Sequence, residues 1–349
     1  MSKVLLYADN HWAQYSSILR RRGEEFSVRL ENQINSINWL ESLATECGCD
    51  SIICLGDFFD RDNLNSEELS ALNAIKWNKD AKHYFLVGNH EMGVHNLTYN
   101  SAKVFNMINH CETIDKPQFL SQSNILFIPY DLDSTNKQLK DYFKDGQVPN
   151  NLIVFSHNDI KGIQYGKFVS QSGFDLTDIE TNCALFINGH LHNGTFLNTK
   201  KTILNLGNLT GQNFSEDASK YTHNVCILDT ETMEYYFYEN PYAFNFYKLD
   251  LTNKSMKAIQ KLIKGLKTNS VISAKVDETL LYELREFLST CDHIVDSRII
   301  IQPTVVDTSA SNSLGFVKLD HIQQFYDYIL NDLGSNPIIL EELEALNAN

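Results

Sequence analysis

The sequence predicts an α/β layered fold, and three observations carry that expectation. Short apolar, β-branched runs recur through the first 230 residues, each ending abruptly in a polar residue. Amphipathic stretches with helical spacing lie between several of them. Glycines punctuate the run ends at Gly56, Gly88 and Gly189. Strands alternating with helices need a sheet covered by helices.

Taken in order, KVLLYAD, SIICLGD, HYFLVGNH, NLIVFSH and ALFINGH read as buried strands, with ILFIPY between the third and fourth. From Glu24 to Cys47, Phe26, Leu30, Ile34, Ile37, Leu40 and Leu43 fall close to helical spacing, and residues 66–77 and 98–109 look similar. After Thr202 the helices thin out. TILNLGN, HNVCILD and EYYFYE read as consecutive strands of an antiparallel extension. Residues 240–250, NPYAFNFYKLD, are aromatic and irregular, as in a linker. From 251 to 303 the order is helix, strand (SVISAKV), helix (ETLLYELREFLS), strand (HIVDSRIIIQP). Residues 304–315 are small and polar, as in a flexible connector. Two short amphipathic helices follow, HIQQFYDYILNDL and PIILEELEAL, the second starting at Pro337, a natural first-turn residue.

Composition narrows the function classes. With 349 residues, 43% hydrophobic, the chain can bury a sizeable core. A net charge of −15 argues against a protein that coats nucleic acid non-specifically, though not against a local binding groove. Seven cysteines without a CxxC pair read as thiols in a reducing compartment. No signal peptide is evident, and no run approaches the roughly 18 apolar residues of a membrane span. The expectation is a soluble, intracellular protein.

The strand ends carry the chemistry. The first runs to Asp9 and His11, the second to Asp57, the third to Asn89 and His90, the fourth to His157, and the fifth to His190 and His192. Ligand sites of open α/β sheets lie at that edge. Alone, His190 and His192 fit a frayed strand end as well as a metal site. Together, Asp9, His11, Asp57, Asn89, His157, His190 and His192 form a ligand set for borderline divalent ions such as Mn²⁺, Zn²⁺ or Fe²⁺. Seven donors are too many for one ion and suit two that share a carboxylate, about 3.5–4 Å apart, as in phosphoryl hydrolysis. The glycines before these ligands fit sharp turns or close metal approach.

The set D-x-H (Asp9, His11), GDFFDR (56–61), GNHE (88–91), a lone His157 after a strand and GHLH (189–192) closely resembles the calcineurin-like metallophosphoesterases. The resemblance covers about residues 3–230. It implies a layered sandwich of two mixed β-sheets flanked by helices. One metal would be held by Asp9, His11, Asp57 and His192. The other would be held by Asp57, Asn89, His157 and His190, with Asp57 bridging. His90 would be a general acid rather than a ligand, oriented by Asp60. Arg61 would reach a phosphate oxygen, or else form a surface ion pair.

GDFFDR and GNHE also occur in protein Ser/Thr phosphatases. The missing glycine after the Asp9-x-His11 motif, where Trp12 stands, and the full GHLH weigh against that branch. Within the family the chain looks like the SbcD-type recombination and repair nucleases of bacteria and phages. Residues 1–240 would be the nuclease domain and 251–303 a small α/β capping domain. NLGNLTGQNFSED would be the motif after the last histidines. Residues 316–349 would be C-terminal helices that dock on an SbcC-type ABC ATPase, the alternative being helices that pack on their own domain. Residues 94–110 lie where the family places its dimer helices, so a homodimer is implied, or an ordinary core helix. Arg20, Arg21 and Arg22 could contact DNA phosphates or form a solvated helix start. The implied activity is two-metal hydrolysis of DNA phosphodiesters, with Mn²⁺ first and Mg²⁺, Zn²⁺ or Fe²⁺ as alternatives. The enzyme would act as an exonuclease on duplex ends and an endonuclease on single strands. It would work in the cytoplasm of a bacterium or a phage-infected host. A phosphomonoesterase or protein phosphatase of the same superfamily is the alternative.

Overall fold

The chain lays down β1 (Lys3–Tyr7), α1 (Val28–Glu46), β2 (Ser51–Cys54), α2 (Ser66–Leu72), β3 (Lys82–Leu86) and β4 (Cys111–Ile114). It continues with β5 (Gln118–Leu120), β6 (Ile125–Ile128), β7 (Ile153–Ser156), α3 (Leu176–Asn182), β8 (Leu185–Asn188), β9 (Thr195–Phe196) and β10 (Ile203–Asn205). β11 (Asn224–Asp229) and β12 (Tyr235–Glu239) follow. The computed structural model describes residues 2–302 except 17, 166 and 167. The connector 304–315 and the two helices expected in 316–349 lie outside the described residues.

Two six-stranded sheets result, ordered β12-β11-β1-β2-β3-β4 and β9-β10-β8-β7-β6-β5. In each, four neighbouring strands are parallel; antiparallel strands close both edges of the second sheet, while in the first they extend one side only and parallel β4 is the other edge. Side-chain alternation sorts three cores. Val4, Leu6, Ile53 and Leu86 meet Phe127, Ile153, Phe155 and Ile187 between the sheets. Leu5, Ile52 and Phe85 point the other way, onto Leu30, Ile34, Ile37 and Leu40 of α1. Leu126, Val154 and Phe186 cover the outer face of the second sheet with Phe174 and Ile179. The fold is the mixed α/β sandwich expected, and the parallel strands β2, β6, β7, β8 and β10 are buried along their whole length.

Helix α1 begins two to four residues later than its apolar pattern, because Ser27 caps it by accepting from the Leu30 N–H at 3.2 Å. Three expectations fail. Residues 98–109 do not form an α-helix: Asn96–Asn100 is a short strand and Ser101–Met107 a 3₁₀ turn. Asn100 ends the strand by bonding back to Leu97, a local side-chain contact that competes with helix. The three strands after Thr202 are not one antiparallel extension. β10 joins the second sheet in parallel, while β11 and β12 extend the first.

Residues 240–250 are not a linker. β13 (Asn245–Asp250) pairs in parallel with β14 (Ser270–Asp277), which pairs in parallel with β15 (Ile294–Gln302). Phe244 and Phe246 are buried, and their aromatic neighbours mask the alternation in the sequence. With α4 (Met256–Lys264) and α5 (Leu281–Leu288) these strands enclose a separate apolar cluster around Ile259, Ile272 and Leu284. Among the described residues no helix is long and apolar enough to cross a membrane.

Phe127 sits at the centre of the inter-sheet core and is fully buried. Phe127→Ala is expected to cost about 3–5 kcal/mol, read as a lowered urea midpoint at unchanged slope.

Candidate metal centre

Every candidate ligand stands at or just beyond the carboxyl end of a central strand. Asp9 and His11 follow β1, Asp57 follows β2, Asn89 follows β3, His157 follows β7, and His190 and His192 follow β8. The chain must leave each strand abruptly to aim these side chains at one point. Four of the seven, Asp9, His11, Asp57 and His190, have φ between 48° and 76°, a region that non-glycine residues rarely occupy. Such strain persists only where the surroundings over-determine it. Two glycines explain the crowding. A Cβ on Gly56, itself at φ 105°, would lie 2.3 Å from His157 Nδ1, and one on Gly88 would lie 2.1 Å from Asp57 Oδ1.

The donors fall into two overlapping groups. Single donor atoms of Asp9, His11 and His192 lie within 4.8 Å of one another, as do those of Asp57, His157 and His190. His11, Asp57 and His90 form a third such set, so Asp57 lies between the two sides. Asn89 Oδ1 joins the second group, 3.0 Å from His190 Nδ1 and 3.3 Å from His157 Nε2.

Hydrogen-bond accounting shows that a cation belongs here. His157 Nδ1 lies 2.8 Å from the Leu55 carbonyl, which can only accept, so Nδ1 carries the hydrogen. The lone pair of Nε2 then faces Asp57 Oδ2 at 3.1 Å and the Asn89 oxygen. The other group repeats the pattern. His11 Nδ1 is held by Asp60 at 3.2 Å and His192 Nδ1 by Glu216 at 2.7 Å. Their Nε2 atoms confront each other at 3.0 Å. Acceptors that face acceptors need a proton or a metal ion between them. Four imidazole nitrogens, two carboxylates and an amide oxygen suit borderline divalent ions.

The electrostatics agree. Burial would raise the Asp57 carboxyl, but the imidazoles of His157, His11 and His90 hold it far below the ordinary carboxylate range. Burial would lower the His157 imidazole, yet Asp57 and Asp9 push it up to about 9. His192 is likewise pulled down by burial and raised, on balance, by Glu216 and Asp9. Without an ion, the His157 imidazole holds a proton between itself and Asp57, while burial pulls His11 the other way, below the ordinary imidazole.

Residues assigned no role from the sequence complete the centre. Glu91, fully buried, accepts the N–H groups of Gly88 at 2.6 Å, Phe59 at 3.1 Å and Asp57 at 3.2 Å, tying two ligand loops together. Burial and the Asp57 charge push its carboxyl up to about 8. Its place in GNHE was the available signal. Asp159 lies 3.3 Å from His190 Nε2, and its H-x-D spacing from His157 could have marked it. Glu216 lies in a loop 24 residues from His192, and no local spacing reveals it. From α1, Arg29 donates to the His11 carbonyl at 2.7 Å and Gln33 to that of Asn10 at 2.6 Å. Behind the second group, Asn158 and Asn188 bond reciprocally, and Asn205 supports the Leu191 carbonyl.

One role assignment changes and one is resolved. The Asp60 carboxylate binds His11, and it is the Asp60 backbone carbonyl that accepts from His90 Nδ1 at 2.9 Å. His11 is the buried partner and has the greater need of an acceptor. Of the two readings of Arg61, phosphate contact or ion pair, the structure shows the ion pair. Its guanidinium pairs with buried Glu68, and its Nε donates to the Asn63 carbonyl at 3.1 Å. The arginine run is also engaged: Arg22 pairs with Glu67, and Arg21 donates to the Val295 carbonyl.

Two outcomes are expected. Because protons occupy the ion positions, Mn²⁺ affinity should rise with pH up to about 9 and binding should release protons, seen as a buffer-dependent calorimetric enthalpy. Glu216→Ala frees His192 and should weaken one of two Mn²⁺ binding events by about 10–100-fold while sparing the other, read in the same titration.

Comparison with curated proteins gives no match. Comparison with protein families matches residues 2–194, more than half of the chain, to Calcineurin-like phosphoesterase. The chain belongs to this family of metal-dependent phosphoester hydrolases, whose members hold two divalent ions.

Proposed function

We propose that the substrate is DNA and that the protein is the nuclease subunit of an SbcCD-like recombination and repair complex. It would cut duplex ends as an exonuclease and single strands as an endonuclease, with Mn²⁺ as the preferred ion. The observation that carries this reading is a structural link between the centre and the module of β13–β15. Glu216, which holds His192, sits in a loop whose next residue, Asp217, bridges to Phe246 of β13, and the Ala218 N–H bonds to the Phe246 carbonyl at 2.9 Å. A wall fixed to one side of the ion site suits a long polymer better than a small phosphate ester. The pairing of Arg61 with Glu68 also weakens the phosphatase alternative, which would use that arginine on a phosphate oxygen.

Two divalent ions at the centre would supply Lewis acidity and a nucleophile at neutral pH. His90 is the group left for proton transfer. It is exposed, its ring lies edge-on 4.6 Å from His11, and its Nδ1–H is fixed on the Asp60 carbonyl. Nε2 is therefore the nitrogen that gives a proton to the leaving oxygen. The His90 N–H also donates to Asp57 Oδ1 at 3.0 Å, which ties the acid to the bridging carboxylate. The remaining parts of the proposal are docking of residues 316–349 on an SbcC-type ATPase and assembly as a homodimer.

The test is a paired assay with Mn²⁺ on end-labelled duplex DNA and on a generic phosphomonoester. Cleavage of DNA with little monoester turnover is expected. His90→Ala should lower DNA cleavage by about 10²–10⁴-fold with Mn²⁺ binding unchanged. Strong monoester turnover without a cut in DNA would establish the phosphatase reading instead.

A further inference from the structure

The amino ends of β3 and β4 carry a second set of donors, at the opposite sheet edge from the centre already described. His83 and Cys111 are paired across the parallel ladder, and the His83 N–H bonds to the His110 carbonyl at 2.8 Å. One donor atom each from His83, His110 and Cys111 lies within 4.8 Å of the others. Glu41 of α1 meets this set at His83, its carboxylate oxygens 3.0 and 3.1 Å from His83 Nε2.

Three features set this cluster apart. His83 Nδ1 lies 3.1 Å from the Ala81 carbonyl and so carries the hydrogen, which turns the Nε2 lone pair toward a carboxylate. His110 Nε2 is buried without a hydrogen-bond partner. The Cys111 thiol is free and buried beside them. A proton on His83 Nε2 would satisfy Glu41 alone, whereas a metal ion would also engage the His110 nitrogen and the Cys111 sulfur.

We propose that Glu41, His83, His110 and Cys111 form a structural site for a divalent cation of borderline softness, zinc first. One sulfur, two nitrogens and one oxygen complete a tetrahedral shell and leave no position for a substrate. A thiolate and a carboxylate cancel the ion's charge, so the buried site is neutral when filled. In a filled shell neighbouring donors stand about 3.5 Å apart, so the donors of His83, His110 and Cys111, now within 4.8 Å of one another, close by about 1 Å, and Glu41 turns from His83 onto the ion. The Ala81 carbonyl already holds the His83 ring as an outer partner of a ligand would. In the empty pocket burial, then Glu41, pushes the thiol up to about 12, and loading releases its proton. A groove of about 650 Å³ beside His110, lined also by Trp77 and Phe105, gives the ion a way in. The filled site would bind edge strand β4 to β3 and α1.

Cobalt separates this site from the catalytic one, whose donors are nitrogen and oxygen only. Titrated into the full chain, Co²⁺ should give a thiolate-to-cobalt charge-transfer band that saturates at one ion and is bleached by Zn²⁺. Cys111→Ser should abolish the band. His110→Ala, at a partly exposed position, should keep the fold and weaken cobalt binding by at least about tenfold. Both variants should retain one zinc fewer per chain by elemental analysis. An intact chain without the band, or a band and zinc count unchanged in His110→Ala, would overturn the proposal.

Discussion

Facing acceptors are the constraint on which the catalytic half of the molecule depends. His11 and His192 present their Nε2 atoms to each other, and His157 presents its own to Asp57 and Asn89. Each ring is locked from behind by an acceptor, so none can rotate to relieve the conflict. Only positive charge resolves it. The scaffold therefore holds unfavourable electrostatics that an ion converts into binding, which is how preorganised metal sites reach affinity without much rearrangement.

Holding the conflict in place requires stiffness at the strand ends. Ligand residues in left-handed backbone conformation cost about 1–3 kcal/mol each. The compensation is spread through buried polar contacts: Glu91 under three N–H groups, Arg29 and Gln33 reaching from α1 to the Asn10–His11 backbone, and Asn158 with Asn188 behind the second group. Arg29 illustrates the expense. Burial lowers its guanidinium to about 10, against the pull of Asp60, Glu216 and Glu68, yet it remains a cation at neutral pH.

The ligands were legible because each is a rare donor type placed at the end of an apolar run. Asp9-x-His11 and His190-x-His192 also have the period-two spacing that turns both side chains one way. Asp159 offered only its H-x-D spacing from His157, and Glu216 acts on a histidine 24 residues away through a contact made only on folding. Asp60 was legible as an orienting residue but not the atom that does it. The strand at 245–250 was hidden by its aromatic residues, whose burial depends on Leu19 and Val271. The His83–His110–Cys111 cluster escaped because its members are spread over two strands, and Glu41 comes from a helix whose pattern read as plain amphipathic.

One detail of the ligand loop bears on how the protein ages. Asn188-Gly189 is a sequence prone to deamidate, because the glycine nitrogen can attack the asparagine side chain and close an imide ring. In the folded chain that nitrogen donates to the Ser156 carbonyl at 2.9 Å, and the Asn188 amide is held by the Asn158 and Gly189 carbonyls. Both reactants are thus withheld from the reaction. The contacts that aim His190 also act as a preservative, and a chain that unfolds locally there would be marked by chemical damage two residues from a metal ligand.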